Sequence, residues 1–171
     1  MTVIGAHVST SGGLSKAWEN AEKIGARAIQ IFGSSPQQWL TRFPTPETIK
    51  EFVRVKKDSG HPPVFLHAGY LVNLASGKKE NREKSIKNLS EHYRIAQLLE
   101  AEGLIFHLGS STGITFENGM KNLATGIKTV LDLTKGSAKL LLENSSGGGN
   151  KLGSTINEIS ALMDNLPAER T

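Results

Sequence analysis

Five short apolar segments alternate with five amphipathic segments along the 171 residues of this chain. Strands read as short apolar runs when helices cover both faces of a parallel sheet. The candidate strands are residues 3–8, which we expect to be buried, 26–32, 64–67, 104–107 and 138–142. The segments with helical spacing are residues 14–24, 46–57, 79–101, 116–133 and 155–166. This alternation predicts an α/β fold whose parallel strands are joined by helical crossovers.

Three consecutive apolar runs end in residues that can bind a metal. The runs PVFLH, LIFH and KLLLE end at His67, His107 and Glu143, with spacings of roughly 40 residues, about one strand and helix. The carboxyl ends of neighbouring parallel strands lie close together, so these side chains can converge. Glu143 follows three leucines, and we expect it to be buried. Two histidines and one carboxylate predict a site for Zn²⁺ first and Mn²⁺ second.

The strand-end residues favour a barrel over an open doubly wound sheet. Catalytic groups of a TIM barrel come from the ends of several strands, and no G-x-G-x-x-G motif follows a strand here. A complete eight-unit barrel takes about 250 residues. We therefore predict one domain over residues 1–171, an incomplete TIM barrel with about the first five of eight units. Strands six to eight would be absent.

Composition narrows the function further. The chain has no cysteine, so a metal site must use His, Asp and Glu. No apolar run reaches the roughly 18 residues of a membrane span, and the amino terminus lacks a secretory pattern, so we expect a cytoplasmic location. The net charge of +4 permits a polyanionic partner. Basic residues concentrate in 78–94, which is either a solvated helix face or a nucleic-acid contact.

Loops after the strands supply further candidates. His7 follows strand one and is a candidate for contact with a metal ligand, and the segment SSPQQW ends in Trp39, which we expect to be exposed. Tyr70 and Leu71 follow His67 closely. They form either an apolar loop anchor or a wedge for a nucleic-acid stack. Outside these loops, two histidines are expected at the surface: His61 and His92.

Four motifs in order resemble the endonuclease IV family of apurinic/apyrimidinic (AP) endonucleases. They are IGAHVSTSGGL (4–14), LHAGYLVNLAS (66–76), IFHLGSS (105–111) and LLENSSGGGNKLG (141–153). The resemblance implies a xylose-isomerase-like TIM barrel with three zinc ions that hydrolyses the phosphodiester 5′ to an abasic site in double-stranded DNA. It also implies that His67, His107 and Glu143 bind one zinc, with Glu143 bridging to a second as the candidate catalytic residue.

The resemblance assigns DNA contacts as well. It places Tyr70 and Leu71 in the DNA minor groove, and Gln38 and Trp39 match a second DNA-contacting loop. Gln37 stands where well-known members carry an inserting arginine. Two further departures lie near His107: Leu108 replaces a proline and Ser111 replaces a histidine.

Because the remaining family ligands lie on strands six to eight, we expect this chain alone to be weakly active or inactive unless a second polypeptide completes the barrel. Two alternatives stay open: a sugar isomerase or epimerase of the same barrel class, and a non-catalytic half-barrel that binds metal or DNA.

Overall fold

The computed structural model describes residues 2–60 and 62–171, in which five strands alternate with five helices. The strands are β1 (Gly5–His7), β2 (Ala28–Phe32), β3 (Val64–His67), β4 (Gly103–His107) and β5 (Lys139–Glu143). The helices are α1 (Lys16–Lys23), α2 (Pro46–Asp58), α3 (Lys79–Leu98), α4 (Phe116–Leu133) and α5 (Ile156–Met163). One parallel sheet contains the strands in the order β1-β2-β3-β4-β5. This order confirms the predicted α/β fold.

Helix starts are set by local chemistry. Thr45, Thr115 and Thr155 precede α2, α4 and α5, and each threonine hydroxyl accepts a hydrogen bond from the backbone N–H three residues later. Such caps satisfy amide groups that the first helical turn leaves without a partner. The starts predicted for α2 and α4 therefore agree with the structure, and that of α5 agrees to within one residue.

The two faces of the sheet have different environments. Val64, Leu66, Leu104, Phe106 and Leu140 are fully buried on the face covered by helices. Their neighbours Phe65, Ile105 and Leu141 point to the opposite face and are only partly buried. Because side chains alternate along a strand, the last residues of β3, β4 and β5 also point to this second, more open face. The sheet thus presents His67, His107 and Glu143 on one side.

The expectation that strand one is buried is wrong. Val3 and Ile4 are 55% and 71% exposed, and the ordered strand is only Gly5–His7. The physical reason is position: β1 is at the edge of the sheet, where it pairs with β2 alone among the described strands.

The opposite edge of the sheet is tied to the end of the described chain. The backbone N–H of Leu140 in β5 donates to the carbonyl of Arg170. The guanidinium of Arg170 donates to the carbonyl of Leu131, to Thr134 and to the hydroxyl of Tyr93, over whose ring it also lies. These contacts fix the last residues against α3, α4 and β5.

Candidate metal centre

The structure brings together the three strand-end residues that the sequence singled out. Ligand atoms of His67, His107 and Glu143 all lie within 4.8 Å of one another. The sheet register explains the convergence. His67 pairs with Ile105, two residues before His107, and His107 pairs directly with Glu143. The three side chains therefore occupy adjacent positions on one face.

The distances suit a shared cation. Oε2 of Glu143 is 2.7 Å from Nε2 of His67 and 3.6 Å from Nδ1 of His107. A tetrahedral Zn²⁺ with bonds near 2.1 Å holds its ligand atoms about 3.4 Å apart, a value between the two observed distances. Two imidazoles and a carboxylate form a donor set that zinc accepts readily, and three protein ligands leave a position for water. The residues therefore fit the predicted metal.

A hydrogen bond orients the ring of His67 for a metal. Its Nδ1 lies 2.8 Å from the carbonyl oxygen of Ala68, which can only accept, so Nδ1 carries a proton. Nε2 then faces the Glu143 carboxylate over 2.7 Å, a separation that either a shared proton or a shared cation can bridge. Metal binding to histidine and carboxylate releases such protons. A backbone carbonyl on the far nitrogen also fixes the orientation of the ring.

The three residues differ in exposure. The His67 side chain is 6% exposed, whereas those of His107 and Glu143 are 47% and 39% exposed. The expectation that Glu143 is buried is therefore wrong. Leu140, at the start of the apolar run, is fully buried, but Leu141 and Leu142 face only partial cover at the end of the strand.

His7 lies beside the centre. Its ring centroid is 4.6 Å from that of Phe32 and 6.4 Å from that of His67. The amide Nε2 of Gln30 donates to Nδ1 of His7 over 2.8 Å, which places the imidazole proton on Nε2. Partial burial, and secondly repulsion from His67, lower the pKa of His7.

The candidate DNA-contacting residues lie near the same strand ends. Tyr70 is 54% exposed and its ring is within 6.4 Å of both metal-site histidines, and Leu71 is 39% exposed. The Tyr70 N–H donates to the carbonyl of Pro36 over 2.8 Å, which joins this loop to the one that follows β2. That second loop carries the exposed residues Gln37 and Gln38.

Trp39 is only partly exposed, contrary to the expectation. Its carbonyl accepts a hydrogen bond from the amide of the buried residue Asn88, which also donates to Thr41. These bonds hold the loop that follows β2 against α3.

His92 is fully buried, so the expectation of a surface residue is wrong, and His61 lies outside the described residues. The helical spacing indicates that His92 is buried. Position 92 is three residues after Leu89 and four before Ala96, both in the apolar stripe of α3.

The lysines of the basic segment 78–94 lie on the exposed side of α3. Lysines there pair with glutamates four residues away: Lys79 with Glu83, Lys84 with Glu80, and Lys87 with Glu91. Such alternation of charge is typical of a solvated helix face.

One loop network was not predicted. The side chain of Asn73 holds both backbone groups of Ser110: Oδ1 accepts from the Ser110 N–H and Nδ2 donates to its carbonyl, each over 3.1 Å. Ser110 in turn forms an isolated antiparallel bridge with Lys151. The two partners of Ser110 are about 40 residues away in either direction, so periodicity gives no signal for this contact.

The fold and the site together define a parallel α/β barrel protein with a metal-binding arrangement at the carboxyl ends of its strands. Residues 18–170 match the model of the xylose isomerase-like TIM barrel family, and the chain belongs to this family.

The chain is similar to proteins named endonuclease 4. The chain is 35% identical over 164 residues to "Probable endonuclease 4" of Halothermothrix orenii, and 35% identical over 165 residues to the protein of that name from Aquifex aeolicus. These matches cover 95% and 96% of this chain but 59% and 58% of the relatives. The chain therefore spans about three-fifths of the length of the curated relatives it matches.

Solved structures agree on the fold. Endonuclease IV from Thermus thermophilus superposes with a TM-score of 0.83 at 32% identity, covering 95% of this chain and 59% of that structure. A D-tagatose 3-epimerase-like protein superposes with a TM-score of 0.75 at 17% identity, covering 98% of this chain and 62% of that structure. The second likeness shows the shared barrel architecture alone. None of the helices in the described residues combines the length and the apolar content that a membrane span requires.

Proposed function

We propose that this chain forms the metal-binding and DNA-binding part of an endonuclease IV-type AP endonuclease. Its substrate would be double-stranded DNA with an abasic site, cut 5′ to the lesion during base-excision repair. The observation that carries the proposal is the convergence of His67, His107 and Glu143 at three neighbouring strand ends. The similarity of nearly the whole chain to proteins named endonuclease 4 supports the choice of reaction.

The three convergent residues would hold Zn²⁺, with Mn²⁺ as a second candidate. Bound there, the metal would supply a Lewis acid for a phosphate oxygen and an activated water near neutral pH. His67 contributes a rigid ligand, because Ala68 fixes its ring. Glu143 contributes the candidate catalytic carboxylate, which lies 2.7 Å from Nε2 of His67. The exposure of Glu143 and His107 leaves room for a DNA strand on the open side.

The exposed loops would bind the duplex around the lesion. Tyr70 and Leu71 offer an aromatic and an aliphatic side chain close to the metal centre, suited to insertion beside a base step. Gln37, Gln38 and Trp39 lie on the adjoining loop. A nucleotide without a base leaves the helix at low cost, because no base must be unstacked. A shallow wedge next to the metal would thus select abasic sites.

A further polypeptide segment would complete the barrel. Strands β1 and β5 are the two edges of the sheet, although the Leu140 N–H of β5 donates to Arg170. Apolar side chains such as Ile4 and Ile156 are 71% and 85% exposed. Closed barrels have no such edges. We infer that strands beyond β5, in the same or a second polypeptide, cover this side in the active protein.

The test combines metal binding with DNA cleavage. Isothermal titration of the metal-free chain with Zn²⁺ should show one site, which His67→Ala and Glu143→Gln weaken by at least tenfold. Glu83→Gln, an exposed carboxylate on α3, is the matched control and should bind zinc normally. Nicking of a duplex with one tetrahydrofuran abasic analogue should require the metal and be lost in Glu143→Gln, measured with the barrel-completing segment supplied. Tyr70→Ala should weaken DNA binding without affecting zinc binding.

Zinc binding that is unchanged in His67→Ala would contradict the metal centre. Normal zinc binding without nicking of abasic DNA in the completed protein would contradict the assigned reaction.

A further inference from the structure

A groove of about 660 Å³ extends from the metal centre between the loops that follow β3, β4 and β5. His107 and Glu143 line one part of it, and Ser110 and Lys151 line another. Lys151 is the only lysine or arginine among the residues described as lining this groove. The groove therefore combines a candidate site for a cation with one positively charged side chain.

The backbone on either side of Lys151 is held in place although it follows a glycine-rich segment. The Ser111 N–H donates to the carbonyl of Asn150 over 2.9 Å, and the Leu152 N–H donates to the carbonyl of Gly109 over 3.0 Å. These two bonds flank the Ser110–Lys151 bridge. A lysine with a pinned backbone and an exposed side chain loses less freedom when it binds a ligand than one on a mobile loop.

The backbone of Ser110 is also held in place, by the side chain of Asn73. The amide of Asn73 occupies both the N–H and the carbonyl of Ser110, so only the hydroxyl remains for a ligand. That hydroxyl lies 3.3 Å from Oγ1 of Thr112 and 3.4 Å from Nδ2 of Asn73. The close approach of Asn73 depends on Gly109, since a Cβ there would lie 2.2 Å from Oδ1 of Asn73.

We propose that Lys151 and Ser110 form a second phosphate subsite, which binds the DNA backbone phosphate next to the one at the metal centre. An ammonium group and a hydroxyl are common donors to phosphate oxygens. This inference rests on the proposed function, because it takes the ligand to be a nucleic-acid strand. The subsite fixes the register of the strand, so that the phosphodiester to be cut lies at His107 and Glu143.

Salt dependence of binding measures the contact directly. A duplex with a tetrahydrofuran abasic analogue is titrated with the Zn²⁺-loaded protein from 50 to 200 mM KCl, and fluorescence anisotropy gives Kd. A protein that releases one fewer counterion shows a slope of log Kd against log salt that is smaller by about 0.9. We expect this change in Lys151→Ala, with several-fold weaker binding at 50 mM KCl. Lys151→Arg should retain the slope.

Two control variants separate the subsite from general charge effects. Lys50→Ala removes an exposed lysine on α2 and should leave both slope and affinity unchanged. Ser110→Ala should weaken binding without altering the slope, because it removes a neutral donor. Circular dichroism and thermal melting establish that each variant is folded.

A second titration uses inorganic phosphate on the ¹⁵N-labelled protein and follows the amide signals of Ser110 and Lys151. If wild type binds DNA with zinc and Lys151→Ala has the wild-type slope, the subsite is refuted while the proposed function stands. If wild type binds no abasic DNA but phosphate shifts the Ser110 and Lys151 signals in wild type and not in Lys151→Ala, the proposed function fails and the anion subsite stands. The absence of both responses overturns both.

Discussion

His92 should make the fold sensitive to acid. It is fully buried on α3, and within the described part of the chain neither ring nitrogen has a hydrogen-bond partner. Burial lowers the pKa of the imidazole from 6.5 to about 4; Glu91 opposes this change and His67 adds to it. The folded protein therefore keeps His92 neutral over a pH range in which the unfolded chain has already protonated it.

The sign and size of the effect follow from linkage. Above pH 6.5 both states hold His92 neutral and no stability is lost. Between pH 6.5 and about 4 the unfolded state binds more protons, so the free energy of unfolding falls with pH. At ~1.4 kcal/mol per pH unit, the total loss is about 3 kcal/mol. Since a domain of this kind is stable by about 5–15 kcal/mol, the loss should be easy to measure.

Urea unfolding of the metal-free protein at several pH values between 7 and 4.5 provides the assay. The comparison variant is His92→Leu, in which an apolar side chain replaces a ring with no hydrogen bond to lose, so stability at pH 7 should change by less than about 1 kcal/mol. At pH 4.5 the variant should be more stable than wild type by about 2.5 kcal/mol. Other titrating groups affect both proteins alike.

Parallel curves of unfolding free energy against pH for the two proteins would refute this reasoning. A proton NMR titration of the His92 ring gives an independent measure, with a midpoint near pH 4 expected in the folded protein. A midpoint near 6.5 would show that the ring has access to water or to a partner.

Three further changes test other parts of the fold and site. Gly109→Ala should destabilise the protein by about 2 kcal/mol in urea unfolding, because φ is +86° there and the new Cβ would lie 2.2 Å from Oδ1 of Asn73. Zn²⁺ should raise the melting temperature of the wild-type chain but not that of His67→Ala. The melting temperatures of the two metal-free proteins serve as the reference. Tyr93→Phe should cost about 1–3 kcal/mol, because the buried hydroxyl donates to the carbonyl of Ala138.

Local patterns in the sequence predicted the elements well where caps and periodicity act together. The helix 116–133 and the strand 64–67 have the predicted bounds, the helix beginning after a threonine cap. The predictions of burial that were wrong concern residues whose cover depends on neighbours distant in sequence. The exposure of strand one follows from its place at the sheet edge, and that of Glu143 from the thin cover at the end of β5. The apolar runs alone do not predict the exposure of either residue or strand.

The candidate site also has a part that the sequence predicts and a part that it does not. Strand periodicity and parallel order suffice to bring His67, His107 and Glu143 to one face, so the sequence predicts their meeting. Ser110 and Lys151 lie close together because two irregular loops form a single β-bridge. No periodic pattern in the sequence predicts this bridge. His92 was detectable, since its position continues the apolar stripe of α3; the expectation of a surface residue rested on the lack of any partner pattern around it.

The two carboxylate oxygens of Glu143 have different surroundings. Both histidines approach the same oxygen, Oε2, at 2.7 and 3.6 Å. Among the described contacts none engages Oε1, and the side chain is 39% exposed. A carboxylate can bind one cation through each oxygen, so Oε1 remains available to a second ion or to substrate on the open side of the sheet. The half-exposed position of Glu143 at the end of β5 therefore leaves one carboxylate oxygen accessible beside the candidate metal site.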